Sequence, residues 1–232
     1  MTALSTRTII TIDGLAASGK STLAKLLAKE LGYSHVNTGL LYRASAFLAL
    51  NERVSEEDQQ GLVNLLENHS LAFEYSVEKG SRLSIDGKDR SDQLQTQVVA
   101  NFTSKIAAIP ELRAALRELQ LQAFPGQAIV AEGRDLGTII FPDATVKFFI
   151  EGDPKIRAQR RALELKEKLS PEELEMTTLA VAKELQERDE RDITRNFAPL
   201  KKADDAILID NTKGELADTV RTMVEEVRKK VL

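Results

Sequence analysis

The chain has 232 residues, 42% of them apolar and 29% charged with both signs mixed, and a formal net charge of -4. That length and mixture fit one packed α/β unit and exclude a disordered chain, while the acidic balance gives no electrostatic reason to expect bulk nucleic-acid binding. The absence of cysteine removes disulfides, thiolate metal sites and thiol nucleophiles, and fits a reducing compartment. No run of about 20 apolar residues and no basic leader followed by an apolar stretch is present, so the expected address is the cytoplasm, without a membrane partner.

Thr8-Ile9-Ile10-Thr11-Ile12 reads as a buried strand stopped at Asp13-Gly14. From Lys20, leucines 23, 26, 27 and 31 recur at helical spacing and Gly32 closes the helix. Ser34 to Asn37 is a second extended piece, after which Thr38 is placed to cap a helix running through Arg43 towards Leu50. Alternation across Leu71, Phe73, Tyr75 and Val77, with turn residues at Lys79-Gly80-Ser81 and Asp86-Gly87, predicts a small antiparallel insertion.

Helical pattern covers Leu94 to Ala108 and resumes after Pro110. Ala128–Ala131 and Thr145–Ile150 read as further buried strands, the second leading to a cap at Asp153 before Pro154. Ser170-Pro171-Glu172-Glu173 has capping-box spacing, so 153–195 is predicted to be two helices joined near Leu169, a pair suited to act as a lid. Ala206–Asp210 supplies a fifth strand and the chain closes on an amphipathic helix. Strands separated by helices predict a parallel five-stranded sheet between helical layers.

Gly14-Leu15-Ala16-Ala17-Ser18-Gly19-Lys20-Ser21 fits G-x-x-x-x-G-K-S/T and lies between a predicted strand and a predicted helix. Backbone N–H groups of such a loop turn inward around phosphate oxygens at the positive end of the helix. Lys20 is expected to reach β and γ phosphates and Ser21 to ligate Mg²⁺, with Gly14, Ala16, Ala17, Ser18, Gly19 and Thr22 completing the ATP cradle. A kinase, a GTPase and a non-catalytic nucleotide switch all share this cradle; no N-K-x-D element supports guanine recognition.

Three stretches bring arginine beside small or acidic residues: Thr38 to Arg43, Glu132-Gly133-Arg134-Asp135, and Arg188 to Arg195. Two phosphate-bearing substrates repel each other until many cations neutralise them, and residues 188, 192 and 195 share a helical face. A solvated face with i, i+4 ion pairs is the competing reading of that last run. Glu132 to Asp135 follows a strand end, where parallel sheets bind ligands. His35 and His69 have no metal-like or triad-like neighbours in sequence and are read as structural or surface residues.

With these stretches in order, followed by Leu136-Gly137-Thr138, Phe141-Pro142-Asp143-Ala144 and Ala198-Pro199-Leu200, nearly the whole chain resembles the bacterial cytidylate kinase family. The resemblance implies a P-loop kinase of one unit: a core of 1–37, 128–152 and 196–232, a monophosphate-binding region of 38–127 with a hairpin insert, and a helical lid of 153–195. It implies phosphoryl transfer from ATP with Mg²⁺ to CMP or dCMP by a monomer. A kinase for UMP or another small acceptor, or a regulatory module, remains the alternative. Catalytic duties fall to Lys20, Arg134, Arg188 and Arg195. Ser104, Arg113 and Asp135 would read cytosine, with Asp135 accepting from the exocyclic amine; Arg43, Arg134 and Arg195 would hold phosphate, and Arg188 and Asp192 would meet ribose. Thr38 and Tyr42 would line the acceptor pocket, and Arg157, Arg160 and Arg161 would approach ATP from the lid.

Four positions depart from the family pattern: Leu15 replaces proline, Ala17 glycine, and Asn37 and Glu132 aspartate. A left-handed conformation at Ala17 would cost roughly 1 to 2 kcal/mol through its Cβ, and Asn37 takes a carboxylate away from the acceptor side.

Overall fold

The structure, a computed structural model, describes residues 7–165, 170–212 and 215–231. The central strand β1 (Ile9–Gly14) pairs in parallel with β6 (Ile129–Gly133) on one side and β7 (Val146–Glu151) on the other. β2 (Ser34–Asn37) and β8 (Ile207–Asp210) complete the order β2-β6-β1-β7-β8, parallel throughout. The strands read as nearly continuous apolar runs because both faces of the sheet are covered. Ile10, Ile12, Val130, Phe148 and Ile150 pack against Leu23 and Leu27 of α1 (Lys20–Leu31) and Met223 and Val227 of α8 (Leu216–Val231). Gly32 ends α1 at φ 69 with its N–H on Ala28 and Lys29 carbonyls, the left-handed cap that its position predicted.

The segment after β2 builds a second apolar core. It comprises α2 (Gly39–Glu52), α3 (Gln59–Asn68), the antiparallel strands β3 (Leu71–Ser76), β4 (Gly80–Ile85) and β5 (Lys88–Asp89), then α4 (Gln97–Ile106) and α5 (Pro110–Leu121). Leu41, Leu62, Leu83, Leu94, Ile106 and Leu112 meet in its centre. The patterning did not predict α3, although Asp58 caps it by accepting from Gly61 N at 2.8 Å and its buried Leu62 and Leu65 lie at helical spacing. Gly61 in the first turn masks the signal, since glycine is a poor helix former. The helix expected from Leu94 starts at Gln97, preceded by a short 3₁₀ turn over Gln93–Gln95.

The expected lid helices are α6 (Pro154–Leu165) and α7 (Pro171–Thr194). Asp153 accepts from Lys155 N and Ile156 N at the start of α6, and Ser170 with Glu173 forms the capping box of α7. Their predicted junction near Leu169 lies outside the described residues. One predicted cap is corrected: Thr38 precedes α2 in a helical conformation and its hydroxyl caps nothing. It donates instead to the Glu132 carbonyl at 2.8 Å, because β2 ends beside β6 and a cross-sheet acceptor is within reach.

Candidate active site

The C-terminal ends of β1, β2 and β6 open onto a cleft of about 840 Å³ between the sheet, the helical insert and helices α6 and α7. Its floor is the loop between β1 and α1. Gly14 lies so near β7 that a Cβ would sit 2.3 Å from the Ile150 carbonyl oxygen, and Gly19 adopts φ 85, so both glycines meet a geometric demand. Ala17 adopts φ 54, the left-handed conformation considered from its sequence. Lys20 donates to the Leu15 carbonyl at 3.0 Å, closing the loop on itself. Burial, with Arg134 and Arg188 nearby, holds the Lys20 ammonium well below its ordinary pKa, against the opposing pull of Glu132 and Asp192.

Ser21, in the first turn of α1, donates to Glu132 Oε2 at 2.5 Å. The other carboxylate oxygen lies 3.1 Å from His35 Nε2. Burial pushes the Glu132 carboxyl upward, but the His35 contact, Lys20 and Ser21 outweigh it and its pKa is lowered. A hydroxyl beside an ionised carboxylate is the oxygen donor set that a hard divalent cation takes. The sequence carried no sign of His35 here: it stands on β2, 97 positions from Glu132, and only the pairing of β2 with β6 brings them together.

Opposite the loop, arginines from three elements converge. Arg43 (α2), Arg134 (after β6), Arg188 (α7) and Arg195 (just past α7) all line the cleft with Lys20. Burial, Arg134 and Arg43 bring the Arg188 pKa down to about 10, while Arg43 is lowered by burial, Arg161 and Arg134. Asp192 is the local counter-charge, accepting from Arg134 Nε at 3.0 Å with Arg195 Nη1 at 3.7 Å. The face shared by 188, 192 and 195 therefore lines the cleft and is not the solvated ion-pair surface that such a run would otherwise make.

Deeper in the cleft wall, Asp135 lies 2.5 Å from Arg113 Nη2 and 3.6 Å from Arg195 Nη2. The Arg113 guanidinium carbon stands 5.2 Å from the centre of the Tyr42 ring, within cation–π range. Burial raises the Tyr42 hydroxyl to about 12 despite the Arg113 charge. Arg113 Nε and Arg195 Nη2 are buried without a hydrogen-bond acceptor among the described residues, so two donors stand ready beside the pocket. Behind them Asp13 accepts from Leu136 N at 3.0 Å and Gly137 N at 2.8 Å, which fixes the turn carrying Arg134 and Asp135. Burial raises the Asp13 carboxyl to about 6, against the pull of those two N–H groups. In sequence Asp13 marks only the end of a strand.

The structure gathers most of the expected residues around one space: Ala16, Ala17, Gly19, Lys20, Ser21, Thr22, Thr38, Tyr42, Arg43, Arg113, Arg134, Asp135, Arg160, Arg161, Arg188, Asp192 and Arg195 all line the cleft. Four stand apart. Gly14 and Ser18 shape the loop from behind, Ser18 through its carbonyl, which accepts from Asn211 Nδ2 at 2.9 Å. Ser104 turns to α7 and accepts from Arg191 Nη2 at 2.8 Å, while its neighbour Thr103 and Ala107 line the cleft in its place. A residue one position further round α4 points about 100° away. Arg157 is buried against Asp189 and the Ala16 carbonyl instead of reaching into the cleft.

Comparison with known proteins agrees with this geometry. The sequence pattern of the family described as cytidylate kinase matches residues 10–229. A cytidylate kinase of Streptococcus gordonii is 40% identical over 96% of this chain and 97% of its own length. Those of Carboxydothermus hydrogenoformans and Pseudomonas aeruginosa are each 37% identical, over 95% of this chain and 97% and 95% of their own. A match of that extent, carried by a chain whose phosphate loop and arginines meet in one cleft, places this protein in the cytidylate kinase family.

Proposed function

We propose that the chain transfers the γ-phosphoryl group of ATP to CMP or dCMP, giving ADP and CDP or dCDP. The observation that carries this reading is the convergence of Lys20, Arg43, Arg134 and Arg188 on one cleft, where burial and neighbouring arginines hold Lys20, Arg43 and Arg188 below their ordinary pKa values. Cations held this close together incur repulsion that polyanionic ligands relieve. In this reading loop amides and Lys20 hold the donor's β and γ phosphates, and Arg160 and Arg161 of α6 face them across the cleft. Arg43, Arg134 and Arg195 hold the acceptor phosphate, and Arg188 and Asp192 meet its ribose.

An acceptor phosphate oxygen then forms its bond to the γ phosphorus as the bond to the β-bridging oxygen breaks, in line and without a covalent enzyme intermediate. Ser21 and Glu132 would hold Mg²⁺, which supplies neutralisation of the β and γ oxygens when bound. The lid over the cleft keeps water, a competing acceptor, away. Asp135, fixed by Arg113, is suited to accept from the exocyclic amine of cytosine and to repel the uracil carbonyl in its place; Thr38 and Tyr42 line that pocket. The proposal treats 38–127 as the acceptor region and 153–195 as the lid of a monomer working in the cytoplasm. No helix among the described residues is long and apolar enough to cross a membrane.

The test is ADP formation by the purified protein with MgATP and a panel of CMP, dCMP, UMP and AMP. CMP or dCMP is expected to give the highest kcat/KM; ADP release no faster with CMP than without an acceptor would reject the proposal.

A further inference from the structure

Asp189 follows Arg188 on α7 but faces away from the acceptor, and it is buried against the phosphate loop. Its Oδ1 accepts from Ala16 N at 2.9 Å and its Oδ2 from Arg157 Nη1 at 2.6 Å. The same Nη1 donates to the Ala16 carbonyl at 2.8 Å, and Arg157 Nε to the Gly152 carbonyl at 3.1 Å. Both backbone polar groups of Ala16 are therefore held by one ion pair, assembled from the first turns of α6 and the C-terminal part of α7. The residue held in this way immediately precedes Ala17, at φ 54. An alanine is disfavoured in that conformation, where glycine would meet no Cβ penalty. Strained backbone persists where its surroundings over-determine it, and here the neighbouring peptides are tied as well: Leu15 O to Lys20 and Ser18 O to Asn211.

We propose that Asp189 and Arg157 are positioning residues for the phosphate loop: by clamping Ala16 they keep Ala17 left-handed and the loop amides turned towards the donor phosphates. The proposal rests on the reading of this loop as the ATP site. It gives the two charges a task beyond packing, since a buried pair recovers its desolvation cost only with well-made additional hydrogen bonds, and these bonds go to the loop backbone. It also makes the base of the lid and the shape of the loop one unit, so that lid motion is confined to parts of α6 and α7 beyond the clamp.

The experiment is Asp189→Asn, with and without Ala17→Gly. The Asn amide presents a donor to Arg157 where the carboxylate accepted, so the clamp fails. The KM for ATP and the dissociation constant for ADP, read by calorimetry without turnover, are expected to rise about 5- to 30-fold, the equivalent of the left-handed penalty on alanine. The KM for CMP is expected to stay within about two-fold. Ala17→Gly in the same chain is expected to recover most of the loss, because glycine adopts the loop conformation without a clamp. Equal rises for ATP and CMP, or no recovery with glycine, would overturn the proposal. If circular dichroism shows that Asp189→Asn does not fold, Arg157→Lys serves instead: it keeps a cation beside Asp189 but cannot span both carbonyls, and the same donor-selective loss with glycine recovery is required. Loss of ADP binding in Lys20→Ala with none in the clamp variants would reject the clamp alone, whereas unimpaired ADP binding in Lys20→Ala would reject the loop as the ATP site.

Discussion

Arg113→Met isolates the buried ion pair that lines the cleft beside Tyr42. Arg113 and Asp135 are 5% and 4% exposed and meet at 2.5 Å, so removing the guanidinium strands a buried carboxylate, a change that typically costs about 3–5 kcal/mol. Arg195, 3.6 Å away on the other oxygen, remains and argues for the low end, about 3 kcal/mol. For a chain of this size that corresponds to a fall of roughly 6–12 °C in Tm. Asp135→Asn in the same chain removes the stranded charge, so the double variant is expected to regain most of the stability while losing its preference for CMP over UMP. The assay is a double-mutant cycle by denaturant unfolding, paired with kcat/KM for the two nucleotides. Additive losses, with a coupling below about 0.5 kcal/mol, would refute the argument that the two charges form one unit. Retained CMP preference in the double variant would refute the specificity argument.

Lys20→Ala is expected to lower kcat by several orders of magnitude with the circular dichroism spectrum unchanged; near-normal turnover would remove Lys20 from the mechanism. Ser21→Ala is expected to raise the Mg²⁺ concentration needed for half-maximal rate, checked by metal titration at fixed ATP, because Glu132 loses the hydroxyl it meets at 2.5 Å. His69 Nδ1 and Nε2 each lie 2.7 Å from a carboxylate, Asp86 and Glu52 respectively, and the Asp86 and Glu52 bonds raise its pKa above 6.5. A raised histidine pKa contributes stability that is full below the unfolded value and is lost as pH rises through the folded one. The decline in Tm above about pH 6.5 should therefore be flatter in His69→Gln than in the parent chain.

Local signals carried the fold a long way. The β-branched run before Gly14, the leucines of α1, Gly32 as its cap, the Ser170 capping box and the turn at Asp86-Gly87 act over a few residues, and the structure has each of them in place. α3 escaped because Gly61 weakened its first turn, and Thr38 lost its capping role to an acceptor on another strand. The phosphate loop was legible because its task is performed by contiguous backbone. Most of the arginines named by the family resemblance line the cleft, but the resemblance could not say that Arg157 would be spent inside the protein.

The sequence by itself determined the strand-loop-helix cradle, the parallel order of layers and the supply of cations. Tertiary structure decided their partners: Arg157 went to Asp189 and the loop, Ser104 to Arg191, and His35 to Glu132. Ala16 and Asp189 are 173 positions apart in the chain yet 2.9 Å apart in space. Hydrogen bonds and charge pairs act over a few ångströms, so their partners become known only when folding has brought distant segments to that distance.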